Sequence, residues 1–479
     1  MKFGLFYLFI VLFIFSACLT HHKVAVTEEH QTVTKVDTQV VKIIKTEIVI
    51  DSSFDYKNFK YETLGDKDIE NMIENSQIFA RHLVGFVLFD PEKDKTICEV
   101  NSTKYFQPAS TTKLFTLYSA LKILRDSVPA LKYEIHGDSL IFTGTGDPSF
   151  LMHYFWRFKN TYNFLKHTPY KLYYVQQSRI DNFLGKGWAW DDYNEEFSAE
   201  RSDLPVYGNL ARFELVKKSK KMPKVTPSTF KDAIRPHNNA PLVNGPIIRR
   251  LTENIYDFYP NLINGRNVFD IPFKYSPKLL TKLLSDTLNR DVELISEYDK
   301  FTKAKTFYSM SIDTLLKRMM LVSDNFIAEQ TMLMCSGVLY DTLRTERTIY
   351  YVNKNLINDL PDKQQWVDGS GLSRYNLVTP RNMVYLLRKL YRDIPTQRLL
   401  NLFPVGGVSG TIKNYYKNKK PYVYAKTGTF SNNHNLCGYI RTKSGKILIF
   451  SFMHNNFMCP VSSIKHEMEK ILLLIYWNY

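Results

Sequence analysis

The segment Gln107-Pro108-Ala109-Ser110-Thr111-Thr112-Lys113 leads into an apolar run over residues 114–121. Proline ahead of an apolar, helix-forming run is typical of a helix start, so the sequence predicts Ser110 in the first turn of a helix. Residues three apart share a helix face, so the amine of Lys113 can reach the hydroxyl of Ser110. An amine that is at least partly neutral can then activate the serine as a nucleophile.

The pattern Ser-x-x-Lys is a weak signal by itself, because it also starts at Ser119, Ser228 and Ser462. Ser119 follows Ser110 by nine residues, so at about 100° per residue it faces the opposite side of the predicted helix. No apolar helix pattern follows Ser228, and Ser462 belongs to the C-terminal segment. At Ser110 the free N–H groups of a helix N-terminus favour developing negative charge. The sequence therefore predicts Ser110 as the nucleophile and Lys113 as its base.

A second triplet, Ser323-Asp324-Asn325, follows a predicted helix over residues 315–321. We expect the hydroxyl of Ser323 to relay a proton and the amide of Asn325 to hold a substrate carbonyl. The same spacing recurs at residues 431–433. The alternative interpretation is a helix-capping serine beside a surface asparagine.

A third triplet, Lys426-Thr427-Gly428, occurs once in the chain and is predicted on an edge strand that faces the Ser110 helix start. A lysine there supplies positive charge for a substrate carboxylate, and Gly428 lets the backbone approach the substrate closely. We expect the backbone N–H groups of Ser110 and Thr429 to form an oxyanion hole.

Four further segments accompany the ordered triplets, and with them the chain resembles the D-alanyl-D-alanine carboxypeptidase/endopeptidase family of low-molecular-mass (class C) penicillin-binding proteins. The resemblance covers about residues 79–455 and is weakest over residues 213–301. Residues 217–264 contain no feature that matches the family. The four segments are Gly144-Thr145-Gly146-Asp147-Pro148, Gly187-Trp188-Ala189-Trp190-Asp191-Asp192, Asp368-Gly369-Ser370-Gly371-Leu372-Ser373-Arg374 and Gly406-Gly407-Val408-Ser409-Gly410-Thr411.

The resemblance implies an α/β fold: a penicillin-recognising serine transpeptidase-like domain, with an antiparallel sheet flanked by helices, and inserted smaller lobes. It implies a serine D-Ala-D-Ala carboxypeptidase/endopeptidase that acts on peptidoglycan stem peptides, is inhibited covalently by β-lactams and uses no metal or other cofactor. It also implies that Asp192 meets the free D-centre amine of the stem-peptide side chain and that Arg374 meets the carboxylate there. Opposite charges facing an ammonium and a carboxylate suit such a zwitterionic end. The other implied site residues are Ser110, Lys113, Ser323, Asn325, Lys426, Thr427, Gly428 and Thr429.

The N-terminus predicts export. Lys2 precedes an apolar run over residues 5–15, followed by Ser16-Ala17-Cys18. A short positive region, a brief apolar core and small residues describe a signal peptide rather than a permanent bilayer span. Cys18 directly after small residues resembles a lipobox, with Cys18 as the lipid attachment point; a plain signal peptide is the alternative. Either interpretation places the protein in the periplasm or cell envelope.

Strand and helix patterns predict the domain order. Strands over residues 84–89 and 96–100, a hairpin of residues 438–442 and 447–453, and a C-terminal helix over 464–476 suggest one sheet whose first and last segments pair. We expect a signal segment over residues 1–18, a tether over 19–55, a discontinuous catalytic domain over 56–132 and 309–479, and inserted lobes over 133–308. Residues 33–36 alternate like a strand that has no obvious partner.

The charge and the cysteine content of the chain give little further information about its function. Lys and Arg number 63 against 47 Asp and Glu, which gives a net charge of +16. The excess fits an ordinary basic surface or attraction to an anionic cell wall or lipid headgroups. Nucleic acid is not an expected partner, because no nucleic-acid motif accompanies the charge. Four cysteines of the exported part allow three full pairings, and the sequence does not choose among them; they are Cys98, Cys335, Cys437 and Cys459.

Two other functions compete with the carboxypeptidase hypothesis. A class A β-lactamase uses a Glu-x-x-x-Asn after its Ser-x-Asn, and none occurs between Asn325 and Lys426. A β-lactamase also has no need of inserted lobes. A catalytically inert, wall-binding lipoprotein is the third hypothesis, and the three intact triplets argue against it.

Overall fold

The computed structural model describes residues 33–36, 39–42, 65–176, 182–216, 221–238, 245–263, 265, 267–295, 298 and 301–479. The chain divides into two compact units, Met1–Phe59 and Lys60–Tyr479. In the first unit, strand β1 (Val33–Val36) pairs antiparallel with strand β2 (Gln39–Lys42). The strand expected to lack a partner therefore has one, separated from it by two residues, a common hairpin spacing. The predicted signal segment and Cys18 lie outside the described residues.

The remaining strands of the described residues belong to the second unit. In chain order they are β3 (Leu83–Asp90), β4 (Lys95–Val100), β5 (Ser127–His136), β6 (Ser139–Gly144), β7 (Lys171–Val175), β8 (Leu210–Glu214), β9 (Lys224–Thr226), β10 (Ile234–Pro236), β11 (Ile247–Arg249), β12 (Tyr256–Phe258), β13 (Val268–Pro272), β14 (Val292–Ile295), β15 (Lys305–Ser311), β16 (Val423–Phe430), β17 (Asn433–Arg441) and β18 (Ile447–Asn455).

The α-helices of the described residues are α1 (Asp66–Glu74), α2 (Lys113–Ile123), α3 (Asn160–His167), α4 (Pro277–Leu288), α5 (Ile312–Val322), α6 (Asn325–Tyr340), α7 (Thr345–Asn355), α8 (Pro380–Asp393), α9 (Thr396–Leu402) and α10 (Val461–Asn478). Within the described part of the chain, no helix is both long and apolar enough to cross a bilayer.

The central sheet of the second unit has five strands in the order β16-β17-β18-β3-β4, and every pair in it is antiparallel. Strand β3, from the beginning of the unit, pairs with β18, from its end, so that Phe86 lies opposite Phe452. The predicted hairpin is the pair β17–β18, and the predicted C-terminal helix is α10. The expected sheet, in which the first and last segments pair, is confirmed.

Side chains of the central strands alternate between two helical layers, as the pleat of a strand requires. Val87 and Phe89 pack on one face, in a core shared with helices α2, α5, α6 and α8. Phe86 and Leu88 pack on the other face with α1 and α10. Because both faces are covered, strand β3 is apolar almost throughout. The expected α/β class, with an antiparallel sheet flanked by helices, is confirmed.

The stretch between α2 and α5 forms further sheets with a core of its own. A mixed sheet has the order β14-β7-β6-β5-β15, and two three-stranded sheets have the orders β13-β8-β9 and β10-β12-β11. Phe142, Tyr174 and Phe213 are buried in the core of this stretch. Strand β5 starts at Ser127 and β15 ends at Ser311, slightly outside residues 133–308. The limits of an inserted domain stay a prediction.

Three of the cysteines carry free thiols in the structure. Cys335 and Cys437 are buried, and Cys459 is partly buried. Burial raises the pKa of the Cys335 and Cys437 thiols, which keeps both protonated. These two cysteines therefore act as small apolar core residues.

Candidate active site

The Ser110 segment turns sharply before its helix. Ala109–Thr112 form a 3₁₀ turn after Pro108, and helix α2 follows directly, so Ser110 stands in the first turn as predicted. Ala109 has a φ of 48°, in the left-handed region that side chains rarely adopt. A Cβ on Gly371 would lie 1.9 Å from the carbonyl oxygen of Ala109, so only glycine fits against this strained turn.

Lys113 is fully buried and donates three hydrogen bonds. Its Nζ lies 2.9 Å from Ser110 Oγ, 2.6 Å from Asn325 Oδ1 and 2.7 Å from the Ser370 carbonyl oxygen. Burial lowers the pKa of Lys113 to about 8, although the charges of nearby carboxylates oppose the shift. With that pKa about one Lys113 in ten is neutral at pH 7, so the amine is suited to accept the serine proton.

Two buried carboxylates hold the loop that faces Lys113. Glu329 Oε1 accepts from the Ser370 N–H at 2.7 Å, and its Oε2 pairs with Arg201 at 3.3 Å. Burial and the charge of Asp368 raise the pKa of Glu329 above its usual value. Asp368 accepts from the N–H groups of Gly371 and Ser373, at 2.9 and 2.6 Å. The loop therefore presents the Ser370 carbonyl to Lys113 in a fixed position.

Sequence reasoning did not assign these supporting residues. Asp368 lies in a segment that was recognised only as a family motif. Glu329 is a carboxylate one turn after Asn325, in a buried helix in which the apolar residues 326–328 precede it and the apolar residues 332–335 follow Gln330 and Thr331. A charged residue in such a helix is almost always paired, and that was the available signal. Arg201, its partner, carries no comparable signal in sequence.

The second triplet lies between two helices. Ser323 ends α5 with a φ of 63°, and Asp324 caps α6 by accepting from the Ile327 N–H at 3.0 Å. The capping side chain is therefore that of Asp324, not of the serine. Asn325 begins α6 and directs its oxygen to the Lys113 amine.

Lys426 approaches the cleft from the sheet. Its strand β16 is an edge strand of the central sheet, as predicted. The buried Lys426 Nζ donates to Ser323 Oγ at 2.8 Å and to the Thr427 carbonyl oxygen at 2.7 Å. Burial and the charge of Lys113 lower its pKa well below the usual value. The structure thus joins Ser110, Lys113 and Asn325 in one hydrogen-bonded group. Ser323 and Lys426 form a second group, which is near enough for the charge of Lys113 to lower the pKa of Lys426.

The part of β16 that follows Lys426 packs directly on the Ser110 turn. A Cβ on Gly428 would lie 2.3 Å from the Pro108 carbonyl oxygen and 3.1 Å from the Ser110 nitrogen. The hydroxyl of Thr429 lies 2.8 Å from His434 Nδ1. Burial lowers the pKa of His434 to about 3, so this imidazole is neutral. The absence of a side chain at 428 is what allows strand and helix start to meet.

Asp192 and Arg374 lie at the rim of the cleft. The Arg374 N–H donates to the Gly187 carbonyl oxygen at 3.2 Å, which ties the two family segments together. The Arg374 guanidinium lies 5.0 Å from the ring centroid of Phe430, at the end of β16. Burial and the charge of Asp191 raise the pKa of Asp192, and the charge of Arg374 opposes that shift. The two predicted substrate residues are therefore electrostatic neighbours.

The other serines of the Ser-x-x-Lys pattern lie elsewhere. Ser119 is buried inside α2 and donates to the Phe115 carbonyl oxygen at 2.8 Å. Ser228 lies in a 3₁₀ turn between β9 and β10, and Ser462 in the first turn of α10. Position in the fold separates Ser110 from all three.

Comparison with protein families matches residues 66–245 and 265–473 to the D-Ala-D-Ala carboxypeptidase 3 (S13) family. The match extends beyond residues 79–455 at both ends. It also covers residues 217–245, where the motifs alone showed no resemblance, and leaves a gap inside the stretch expected to be weakest.

Individual relatives agree with the family match. The chain is 23% identical over 412 residues to D-alanyl-D-alanine carboxypeptidase DacB of Haemophilus influenzae, over 77% of this chain and 84% of that protein. It is 27% identical over 183 residues to penicillin-sensitive carboxypeptidase A of Dictyostelium discoideum, over 35% of this chain and 34% of that protein. The crystal structure of penicillin binding protein 4 (dacB) from Haemophilus influenzae has a TM-score of 0.69 and 20% identity, over 86% of this chain and 100% of that one.

These similarities confirm the family and enzyme class expected from the motifs. The structural likeness, at 20% identity, supports the fold, and the family match covers most of the chain. The enzyme class is that of serine-type D-Ala-D-Ala carboxypeptidases, which are hydrolases of the cell wall. The chain belongs to the D-Ala-D-Ala carboxypeptidase 3 (S13) family.

Proposed function

We propose that this chain removes the terminal D-Ala of peptidoglycan stem peptides through an acyl-enzyme on Ser110, and that β-lactams acylate the same hydroxyl. One observation carries the residue assignment: Lys113 Nζ lies 2.9 Å from Ser110 Oγ, in a cleft bounded on the opposite side by Lys426. The other serines of the Ser-x-x-Lys pattern lie elsewhere in the fold.

Acylation needs a base and a place for negative charge. The neutral amine of Lys113 accepts the Ser110 proton as Oγ bonds to the D-Ala-D-Ala carbonyl carbon. The N–H groups of Ser110 and Thr429 receive the oxyanion, and one such donor is worth about 3 kcal/mol of transition-state stabilisation. Ser323 then relays a proton to the leaving amine, the C–N bond breaks and D-Ala departs.

Deacylation and cross-link cleavage follow from the same groups. A water molecule, deprotonated by Lys113, attacks the ester carbon and restores the Ser110 hydroxyl. If the leaving amine belongs to the side chain of a neighbouring stem instead of free D-Ala, the same steps cut a cross-link, which is endopeptidase activity.

Charged groups around the cleft suit the two ends of such a substrate. Lys426 binds the terminal carboxylate, with Thr427 and Gly428 presenting the strand backbone beside it, and Asn325 holds a peptide carbonyl. Asp192 binds the free amine of the stem side chain, and Arg374 binds the carboxylate next to that amine. No metal or organic cofactor takes part in this proposal.

The proposal includes export. The predicted signal segment, with lipid attachment at Cys18, would hold the enzyme in the periplasm at a membrane face. A net charge of +16 would favour contact with anionic wall polymers.

Covalent labelling with a fluorescent penicillin tests the nucleophile. We expect Ser110→Ala to abolish labelling and Ser462→Ala, which alters another Ser-x-x-Lys serine, to leave it unchanged. Labelling that survives Ser110→Ala would rule out the assignment. Mass spectrometry of digested muropeptides should show loss of D-Ala or of cross-links. Rapid penicillin turnover with intact muropeptides would instead indicate a β-lactamase. No reaction with either penicillin or muropeptides would indicate an inert wall-binding protein.

A further inference from the structure

A second cavity, of about 220 Å³, opens in the stretch between α2 and α5. Its walls come from the 3₁₀ turn His153–Phe155 and the residue after it, and from strands β8 and β13. The residues that define its character are Tyr154, Trp156, Tyr207, Arg212, Glu214 and Asp270. We call this cavity the aromatic pocket.

The aromatic pocket displays rings to solvent at a fixed position. Tyr154 is 47% and Trp156 is 61% exposed, while Phe155 between them is buried in the main core. Because Phe155 is packed in the core, the backbone on either side of it, which carries the two exposed rings, is held in place. The pocket is also lined by Leu151, Met152 and Leu210. Exposed aromatic and apolar surface at a concave site with a few polar groups is a mark of ligand binding rather than of folding.

The polar groups of the aromatic pocket favour an uncharged ligand with many hydroxyls. Arg212 binds Asp270 through two hydrogen bonds of 2.7 and 2.6 Å, so its charge is balanced. Glu214 adds an exposed carboxylate, which disfavours anions. Paired charges and a carboxylate supply donors and acceptors for hydroxyl and amide groups. The negative face of an indole attracts the C–H face of a sugar ring.

A short chain of contacts joins the aromatic pocket to the active site. The guanidinium of Arg318 lies 3.3 Å from the ring centroid of Tyr154. Arg318 also pairs with Asp324, the middle residue of the second triplet, at 3.6 Å. Five residues of chain separate Arg318 from Ser323, a rise of about 7.5 Å in a helix. For a sugar in the aromatic pocket, an extended stem of five residues reaches about 17 Å.

We propose that the aromatic pocket binds the glycan part of the substrate, a β-1,4-linked chain of N-acetylated hexosamines. The choice of ligand rests on the proposed function, because stem peptides are attached to such sugars. Binding of the sugar at this pocket raises the effective concentration of its stem at Ser110. The Arg157 guanidinium lies 5.0 Å from the ring centroid of Trp156, so the opposite face of that indole serves as the stacking platform. Glu214 together with the Arg212–Asp270 pair forms the hydrogen-bonding wall.

Calorimetric titration of the full-length protein with an uncharged tetrasaccharide of β-1,4-linked N-acetylglucosamine tests this site. We expect saturable binding that weakens at least tenfold in Trp156→Ala and is largely restored in Trp156→Tyr. Tyr350→Ala is the matched control, because Tyr350 is 62% exposed on α7 and does not line the aromatic pocket. Absence of saturable binding, or equal binding by Trp156→Ala and the control, would overturn the proposal.

Kinetics separate this proposal from the proposed function. With a disaccharide-linked pentapeptide, Trp156→Ala should lower kcat/KM severalfold, and with the sugar-free pentapeptide it should not. A protein that is labelled by penicillin but does not bind the tetrasaccharide refutes the glycan site alone. Trp156-dependent sugar binding without penicillin labelling leaves the glycan site intact and refutes the proposed function.

Discussion

Two walls of one cleft each carry a buried lysine, in different surroundings. The helix wall contains Ser110 and Lys113, with Glu329 and Asp368 behind them. The strand wall contains Lys426, whose two hydrogen-bond acceptors, a serine hydroxyl and a backbone carbonyl, are both uncharged. The acceptors of Lys113 are uncharged as well, so the two lysines differ in the charges nearby: carboxylates raise the pKa of Lys113, whereas the ammonium of Lys113 lowers that of Lys426.

The contrast fits the two different roles that we propose for these lysines. Carboxylates near Lys113 offset part of the cost of burial, so its pKa falls only to about 8 and the amine can exchange a proton near neutral pH. Lys426 has no such compensation from its hydrogen-bond partners, and Lys113 lowers its pKa further. A carboxylate that enters the cleft supplies the missing counter-charge, so we infer that the strand wall is built for an anionic chain end.

The largest expected effect comes from removing the base on the helix wall. Lys113→Met keeps the length of the side chain but cannot accept a proton, and general-base catalysis contributes about 10²–10⁴ in rate. We expect the rate of acylation by penicillin to fall about 10³-fold. Stopped-flow or gel-based labelling measures it, with Lys122→Met, on the exposed side of the same helix, as the control. A loss of less than tenfold would show that Lys113 is not the base.

The loss of activity on removing the cation of the strand wall should depend on the substrate. We expect Lys426→Met to lower kcat/KM about 10²-fold for a peptide that ends in a carboxylate, since losing one partner of a buried charge pair costs about 2–5 kcal/mol. The same peptide ending in an amide should be affected far less. Steady-state assays with both peptides check this. Equal losses on the two peptides would contradict the role of Lys426 as a carboxylate anchor.

The pH profile sharpens the difference between the walls. Because neutral Lys113 is the active form, acylation should rise with pH through about 8, the pKa of that amine. Glu329→Gln removes a negative charge that stabilises the ammonium, so the pKa of Lys113 should fall and the rising limb should move to lower pH. We therefore expect the acylation rate at pH 7, expressed as a fraction of the plateau rate at high pH, to be severalfold larger in Glu329→Gln than in the unaltered protein.

The rate of penicillin labelling, measured across pH 5–10, gives the position of the rising limb of the pH profile. Glu346→Gln, which alters an exposed glutamate at the start of α7, is the control and should leave the profile in place. A limb that moves to higher pH in Glu329→Gln would contradict the electrostatic explanation.

The smallest effect is expected at the rim, outside both walls. Asp192 is only partly buried and Arg374 is exposed, and ion pairs near the surface contribute about 0–1 kcal/mol. We expect Asp192→Asn to raise KM about threefold for stems with a free side-chain amine. Stems whose amine is acetylated should show no change, and an equal change on both would argue that Asp192 does not contact that amine.

Local pattern was enough to predict the start of the site. Pro108 and the apolar run after Lys113 indicate the helix start, and one turn of helix places the Lys113 amine at the Ser110 hydroxyl without tertiary information. The hairpin and the C-terminal helix also follow from periodicity and a short polar turn. By contrast, the partner of residues 33–36 was missed although it begins only two residues later, because the intervening Asp37-Thr38 is not one of the residue pairs that mark a hairpin turn.

The sequence alone was enough to predict the residues proposed to carry the chemistry, because ordered motifs and helix spacing are local properties of the chain. The tertiary structure alone decided the charge environment: Glu329, Asp368 and Arg201 lie behind Lys113, and the acceptors of Lys426 are neutral. It also joined the aromatic pocket to the second triplet through Arg318. Burial and distance set electrostatic energies, and both depend on contacts between segments hundreds of residues apart.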